Sequence, residues 1–398
     1  MPRTADEAER KLVFLGIVML NNPLRPEVPG AVARCKAAGI EVVMLTGDHA
    51  HTAVSVARDA GIDKGEGSVV TGQDIDALDD EALRTLLKNE KPRVFARVTP
   101  SQKLRLVEAY QSLGHVVAVT GDGVNDAPAL RAADIGVAMG RRGTDVAREA
   151  ADMVLLDDNF ATIVNAVEEG RAVFDNIRKF LTYFLTSNVA EAAPFVLFVL
   201  FGVPLPLTVL QVLLVDLGTD TLPGLALGVD PPARGSMERK PRAIGEGIVS
   251  GGLLVRALGF LGMAAAVISL CGFFVFQWDV TGTFLSNFVG EGPTYEQATT
   301  VTMAGIVACQ VGNVFACRSE RQSVFTMGWR SSRLIALAVV AEVGLLAAVV
   351  GIPPLADTFD LQPIDPRYWP MLAVSPFLFL ALEETRKLVA AKLRQAAN

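Results

Sequence analysis

Asp122, Asn125 and Asp126 place three oxygen-bearing side chains within five residues of a turn that also holds Gly121 and Gly123. Mg²⁺ prefers hard oxygen ligands and keeps several waters, so two neighbouring carboxylates beside a phosphate oxygen suit it. The glycines permit the tight backbone such a turn needs. A bare Asp-Gly pair is an ordinary solvated turn, but the full run Thr120-Gly121-Asp122-Gly123-Val124-Asn125-Asp126-Ala127-Pro128-Ala129-Leu130 is far more specific. Thr46-Gly47-Asp48 is a second short run with hydroxyl, glycine and carboxylate in sequence.

A different chemistry is suggested further along. Asn188 and Glu191 are three residues apart, and Asp216, Thr219 and Asp220 follow in the next apolar stretch. Spacings of three and four put side chains on one helical face. Ionisable residues inside apolar spans are expensive and mark ion paths. Carboxylates facing one another at low dielectric must share protons or bind cations. Pro194, Gly218 and Pro223 lie among them, and breaks in a spanning helix would free carbonyl oxygens to complete a cage. Oxygen donors favour Na⁺, K⁺, Ca²⁺ or H⁺. The absence of Cys-Pro-Cys or His-rich runs argues against a soft transition metal.

The elements that must position the first group are strands alternating with helices. Val13–Leu20, Glu41–Leu45, Arg93–Ala96, His115–Thr120, Ile135–Ala138 and Met153–Leu156 are strand candidates; Pro26–Ala38, Ala50–Ala60, Gln102–Leu113 and Ala127–Ala132 have helical periodicity. Such alternation predicts a doubly wound α/β domain with a parallel sheet, whose ligands sit at the carboxyl ends of strands. Thr46–Asp48 and Thr120–Asp126 both fall at such ends. Asp74-Ile75-Asp76 reads as helix capping and solvated charge.

The second group lies among apolar runs of spanning length, at 181–202, 207–229, 251–277, 297–317, 334–352 and 368–384. The fold expected is therefore an α/β domain followed by an all-α six-helix transmembrane domain. Arginines and lysines cluster after the second, fourth and sixth runs, which predicts that the α/β domain and the C-terminus both face the cytoplasm. The net charge is −7 and no basic tract suits nucleic acid. Cys35, Cys271, Cys309 and Cys317 lack metal-site or disulfide spacing. The charged N-terminal residues do not read as a signal peptide.

Residues 120–130 match the hinge signature of P-type ATPases, whose phosphorylation domain has the haloacid-dehalogenase-like fold. Thr46-Gly47-Asp48 resembles that family's second phosphate-domain motif, and Ala96-Arg97-Val98-Thr99-Pro100-Ser101-Gln102-Lys103 its third. The resemblance implies roles. Asp122 would hold Mg²⁺, with Asn125 and Asp126 supporting the metal and the phosphoryl group. Thr46 and Gly47 would bind phosphate, Asp48 would orient that loop, and Lys103 would neutralise developing charge. Arg25 and Arg97 are candidate contacts to ATP. Tyr183–Glu191 resembles the fifth span of the P2 pumps, and Asp216-Leu217-Gly218-Thr219-Asp220 the sixth span of the sodium/potassium type. Gln310 sits where that type places a polar cation ligand, Glu342 is a plausible further ligand, and Asn313 replaces an acid.

On this resemblance, 1–160 would be the C-terminal part of the phosphorylation domain, 161–180 a connecting helix, 181–229 the ion-site spans and 230–398 the last four spans. Relatives also show Asp-Pro-Pro-Arg where this chain has Asn22 to Arg25. More important, the family forms an aspartyl-phosphate on Asp-Lys-Thr-Gly-Thr, which this sequence lacks. Covalent catalysis needs its nucleophile, so the chain alone is expected to be inactive. It would be completed in cis or in trans by an N-terminal half, in a membrane, to move an inorganic cation. The alternative is a catalytically inactive regulatory or assembly subunit. A membrane-tethered phosphatase would need the same missing nucleophile.

Overall fold

The computed structural model describes residues 12–16, 23–63, 69–233, 235–243, 245–283, 286–327 and 333–397. Contacts divide the chain into two units, Met1–Asn165 with Met237–Pro241, and Ala166–Ser236 with Arg242–Asn398. Each is described by itself.

The first unit alternates helix and strand: α1 (Val28–Ala37), β1 (Met44–Leu45), α2 (Ala50–Asp59), β2 (Val69–Thr71), α3 (Gly72–Ala77), α4 (Asp80–Asn89), β3 (Val94–Ala96), α5 (Pro100–Ser112), β4 (Ala118–Gly121), α6 (Ala127–Ala132), β5 (Ile135–Met139), α7 (Asp145–Ala150) and β6 (Met153–Leu155). The helix starts are written in the sequence. Thr71 and Asp74 form a reciprocal capping box that opens α3, and Thr99 with Gln102 does the same for α5. Each cap satisfies backbone amides that would otherwise lack partners, contributing about 1 kcal/mol. Asp74 thus has the capping role expected of it. Apolar residues then seal the layers: Phe95, Ile75, Leu83 and Leu106 pack as one cluster, and Val32, Ala53, Ala57 and Val94 as another.

All strand pairs are parallel, but they form two sheets, β1-β3-β2 and β4-β5-β6. Met44 pairs with Val94 and Val69 with Val94 in the first; Ala118 pairs with Ile135 and Val137 with Met153 in the second. A single continuous sheet is thus not present. Among the described residues no ladder joins β1 to β4, so each keeps one open edge. The β4 strand is correspondingly uncovered: Ala118 and Thr120 are exposed, and Val116 just before it is 67% exposed. The expected strand Val13–Leu20 is not formed over 12–16, where Leu12 to Leu15 are exposed; 17–20 lie outside the described residues. Strand β2 and helix α4 were not foreseen, because Val69 to Thr71 is too short a run to show a period, whereas the start of α3 was read from its capping residue.

The second unit is helical. Its elements are α8 (Phe160–Phe201, whose first turn belongs to the first unit), α9 (Val209–Gly228), α10 (Gly251–Thr281), α11 (Pro293–Cys317), α12 (Arg333–Gly351) and α13 (Trp369–Ala397). Short helical turns at Val324–Met327 and Pro353–Thr358 connect them. Five of the described helices, α8 to α12, are long and apolar enough to cross a membrane. The expected sixth span, 368–384, is helical within α13 but is not among those five. Glu383 and Glu384, followed by Arg386 and Lys387, dilute its apolar run. Glu383 is fully buried, paired with Arg256 at 2.7 Å and with Arg386 at 2.7 Å. The core of this unit lies along α11, where Met303, Ile306 and Val307 pack with Leu207, Leu261 and Phe379.

Pro194 lies inside α8 without ending it. Nor does Gly218 break α9. Residues Val215–Asp220 instead form a wide π-turn, and such turns recur where a helix must present side chains at irregular angles. A second π-turn occupies Val255–Gly262 of α10.

Candidate phosphate and cation sites

In the first unit the carboxyl ends of β1, β3 and β4 carry the polar runs. Thr46 Oγ1 accepts the amide of Asp48 at 3.1 Å. Arg97 N donates to Asp48 O and Val98 N to Thr46 O, both at 3.0 Å, knitting the ends of β1 and β3 together. Gly47 and the Asp48 side chain are left exposed. After β4 the chain makes a tight turn, Val124–Asp126, into α6. Asp126 Oδ1 accepts from Lys103 Nζ at 2.7 Å, while its Oδ2 accepts the amides of Asp122 at 3.3 Å and Gly123 at 3.2 Å. Gly121 is required here: a Cβ at that position would lie 2.4 Å from Asp126 Cβ.

Asp126 is therefore engaged on both oxygens, which makes it the anchor of Lys103 and of the turn instead of a free metal ligand. Asp122 is exposed, its carboxylate makes no hydrogen bond among the described residues, and Asn125 is exposed beside it. One free carboxylate and one amide on a glycine-rich turn fit a hard cation that retains water. The flanking loop is fixed by Asp158, whose carboxylate accepts the amides of Arg141 at 2.9 Å and Arg142 at 3.0 Å and is held below the ordinary carboxylate range by them. Thr144 N reaches back to Asp122 O at 2.9 Å.

The two residues expected to contact ATP both have partners within the first unit. Arg25 Nη1 donates to Asp158 O at 2.6 Å, so its guanidinium holds the loop ahead of α8. Arg97 has a left-handed backbone, φ 53°, and its Nη2 lies 2.6 Å from His49 Nε2. His49 was not singled out from sequence. It directly follows Thr46-Gly47-Asp48, which was the available signal. Asn22 lies outside the described residues.

In the second unit Glu191, Asp216 and Asp220 each offer an oxygen within 4.8 Å of the others. Glu191 is 5% exposed and Asp220 fully buried. Tyr183 Oη donates to Asp220 Oδ1 at 2.9 Å, and Ser187 Oγ to the same oxygen at 3.3 Å. Thr219 Oγ1 donates to Gln310 Oε1 at 3.0 Å, tying α9 to α11. Glu191 Oε1, Asp220 Oδ2, Gln310 Nε2 and both oxygens of Glu342 are buried without a hydrogen-bond partner in the structure. Buried oxygens of this kind are costly unless a proton or cation joins them.

Asn188 does not join this group. It is exposed, whereas Tyr183, Ser187 and Glu191 recur at intervals of four and share the buried face of α8. Periodicity could have found the first two. Asn313, buried, donates to Tyr183 O at 3.1 Å and accepts from Cys317, so it holds α8 against α11. All four cysteines are free.

These features have counterparts. A family model described as "Cation transporting ATPase, C-terminus" matches residues 204–389, and two models of haloacid dehalogenase-like hydrolases match 3–134 and 103–167. The chain is 41% identical over 388 residues to a calcium-transporting ATPase of Bacillus subtilis (strain 168), covering 96% of this chain and 42% of that protein. It is 37% identical to the sodium/potassium-transporting ATPase subunit alpha-3 of Gallus gallus, over 96% of this chain and 43% of the relative. The alpha-2 subunit of Homo sapiens is also 37% identical, over 95% and 42%. The chain thus spans roughly two fifths of the curated relatives it matches.

Proposed function

The chain belongs to the P-type cation-transporting ATPases, and from that premise we propose that it supplies the phosphate-binding part and the intramembrane ion site of an ATP-driven pump. The observation that carries this reading is the Glu191, Asp216 and Asp220 cluster, three carboxylates converging among helices of spanning length. The transported substrate is an inorganic cation of the hard class, Na⁺, K⁺, Ca²⁺ or H⁺. The site is placed in a membrane bilayer, in our reading the plasma membrane, with both termini cytoplasmic.

Catalysis would rest on positioning and charge. Asp122, with Asn125 beside it, would hold Mg²⁺, which when bound offsets charge on a phosphoryl group. Lys103, anchored by Asp126, would offset charge from another side. Thr46 and the Gly47 amide would receive phosphate oxygens at the end of β1, with Asp48 shaping that loop. Arg97 lies at the rim, where ATP from the nucleotide-binding part would approach. The helix α8 would carry movement to Tyr183, Ser187 and Glu191.

The nucleophile must come from elsewhere in the complete pump, in cis or in trans. The open edges of β1 and β4 support this: an inserted parallel strand would unite the two sheets and end between Thr46 and Asp122. In the same reading, the P domain occupies 1–160, the connecting helix 161–180, the ion-site spans 181–229 and the remaining spans 230–398.

The test is to co-express the chain with an N-terminal half carrying Asp-Lys-Thr-Gly-Thr and to follow phosphorylation by γ-³²P-ATP as Na⁺, K⁺, Ca²⁺ and pH are varied. Cation-dependent phosphoenzyme supports the pump. No phosphoenzyme from a stable complex would favour a second reading, an inactive regulatory or assembly subunit, which the absent nucleophile motif also fits.

A further inference from the structure

Every side chain of the cation cluster and its immediate neighbour Gln310 comes from α8, α9 or α11, and one buried carboxylate joins those three helices at one end. Asp230, two residues beyond α9, is 4% exposed. Its Oδ2 lies 3.0 Å from Lys179 Nζ on α8, and its Oδ1 lies 3.5 Å from Arg318 Nη2 at the end of α11. Lys179 Nζ also donates to Asn176 Oδ1 at 2.9 Å. Asn176 Nδ2 donates in turn to Asp230 O at 2.7 Å and Gly228 O at 3.3 Å. Asn176 and Arg318 are themselves 5% and 4% exposed.

The placement matters for the cluster. Lys179 precedes Glu191 by about three helical turns, Asp230 follows Asp220 by about three, and Arg318 follows Gln310 by about two. The helices that must hold their oxygens at a common spacing are thus fastened at comparable distances from it. A carboxylate between a buried guanidinium and a largely covered ammonium is not replaceable by a neutral group without leaving charge unpaired.

We propose that Asp230 is a positioning residue for the cation site, setting the register of α8, α9 and α11. This rests on the reading of Glu191, Asp216 and Asp220 as a cation site. A knot of this kind preorganises the ligands, so loosening it weakens cation binding even where the protein stays folded.

The test uses the full chain in lipid nanodiscs, with ⁴⁵Ca²⁺ and ²²Na⁺ as probes and thermal unfolding measured in parallel. Glu191→Gln serves as the site control and abolishes binding. Asp230→Asn binds the ion roughly tenfold or more weakly, in the range seen when groups that orient ligands are removed. The double variant Asp230→Asn with Lys179→Gln recovers part of the stability, Arg318 still facing a neutral side chain, but not affinity. Affinity equal to wild type in folded Asp230→Asn overturns the proposal, as does full recovery of affinity in the double variant. Should Asp230→Asn fail to fold, Asn176→Ala loosens the same knot through neutral bonds, and unchanged affinity there overturns it as well. Wild-type chain that binds neither ion overturns the site reading and, with it, this inference.

Discussion

Lys103 Nζ lies 2.7 Å from Asp126 Oδ1, joining the first turn of α5 to the turn after β4. Both side chains are mostly buried, 22% and 14% exposed, so the pair holds two loops that no backbone ladder connects. One carboxylate thereby orients a cation with one oxygen and shapes the Asp122 turn with the other.

In a pump completed with its nucleophile, Lys103→Met is expected to lower turnover by about 10²- to 10³-fold, the usual effect of removing one fixed charge-stabilising donor. Asp126→Ala should lose a similar amount, because Lys103 then has no anchor. Steady-state ATPase rates check both; full activity in Asp126→Ala would remove it from the site.

Gly121→Ala tests the turn itself. The added Cβ would meet Asp126 Cβ at 2.4 Å and Cγ at 2.8 Å, so the turn must open. Overpacking of this kind costs about 1–3 kcal/mol. A lowered melting temperature of the full chain in detergent is the expected result, and an unchanged one would show that the loop yields freely.

Asp158 gives a pH dependence with a definite sign. Its folded carboxyl is held below the ordinary range, chiefly by the amide of Arg141 and also by that of Arg142. The stabilisation is therefore complete above the unfolded value near about pH 4, and is lost as pH falls through the lower folded value. Thermal melts taken from neutral to acid should show Asp158→Asn losing less stability than wild type. Parallel curves would sink the assignment.

Most of the candidate phosphate site was legible because its residues are contiguous. Thr46–Asp48 and Thr120–Asp126 are short runs whose residue types declare themselves, and the strands before them show in apolar runs. The two-sheet arrangement was not legible, since periodicity marks a strand but not its neighbours. The α8 face was misjudged for a related reason. Asn188 and Glu191 satisfy a spacing of three, but Tyr183, Ser187 and Glu191 satisfy a spacing of four, and burial alone decides which face turns inward. The roles of Asp126 and Arg25 depended on partners 23 and 133 residues away, which local pattern cannot supply.

That contrast on α8 can be measured. In the nanodisc-bound chain, Glu191→Gln and Asp220→Asn are expected to abolish Ca²⁺ or Na⁺ binding, since each removes a charged oxygen of the cluster itself. Asn188→Ala should stay within about twofold, since an exposed amide contributes no buried oxygen. A loss for Asn188→Ala equal to that for Glu191→Gln would place it in the site after all.

The charged stretch that keeps α13 from reading as a span makes its own prediction. Arg256 is 7% exposed and donates to Glu383 Oε1 from Nε at 3.1 Å and from Nη2 at 2.7 Å, with Nη2 also reaching Ala316 O. Glu383→Gln leaves this buried guanidinium with only the half-exposed Glu320, 4.0 Å from its Nη1, as counter-charge, a change of the kind that costs about 3–5 kcal/mol. Replacing the whole pair by apolar residues of similar volume, Arg256→Met with Glu383→Leu, should cost far less, because neither charge is then stranded, although Arg386 loses a partner. The double-mutant cycle in thermal unfolding separates these terms. If Glu383→Gln melts with the wild type, the ion pair is not what holds α10 against α13. If the apolar double is as unstable as the single, the loss is one of shape and not of charge.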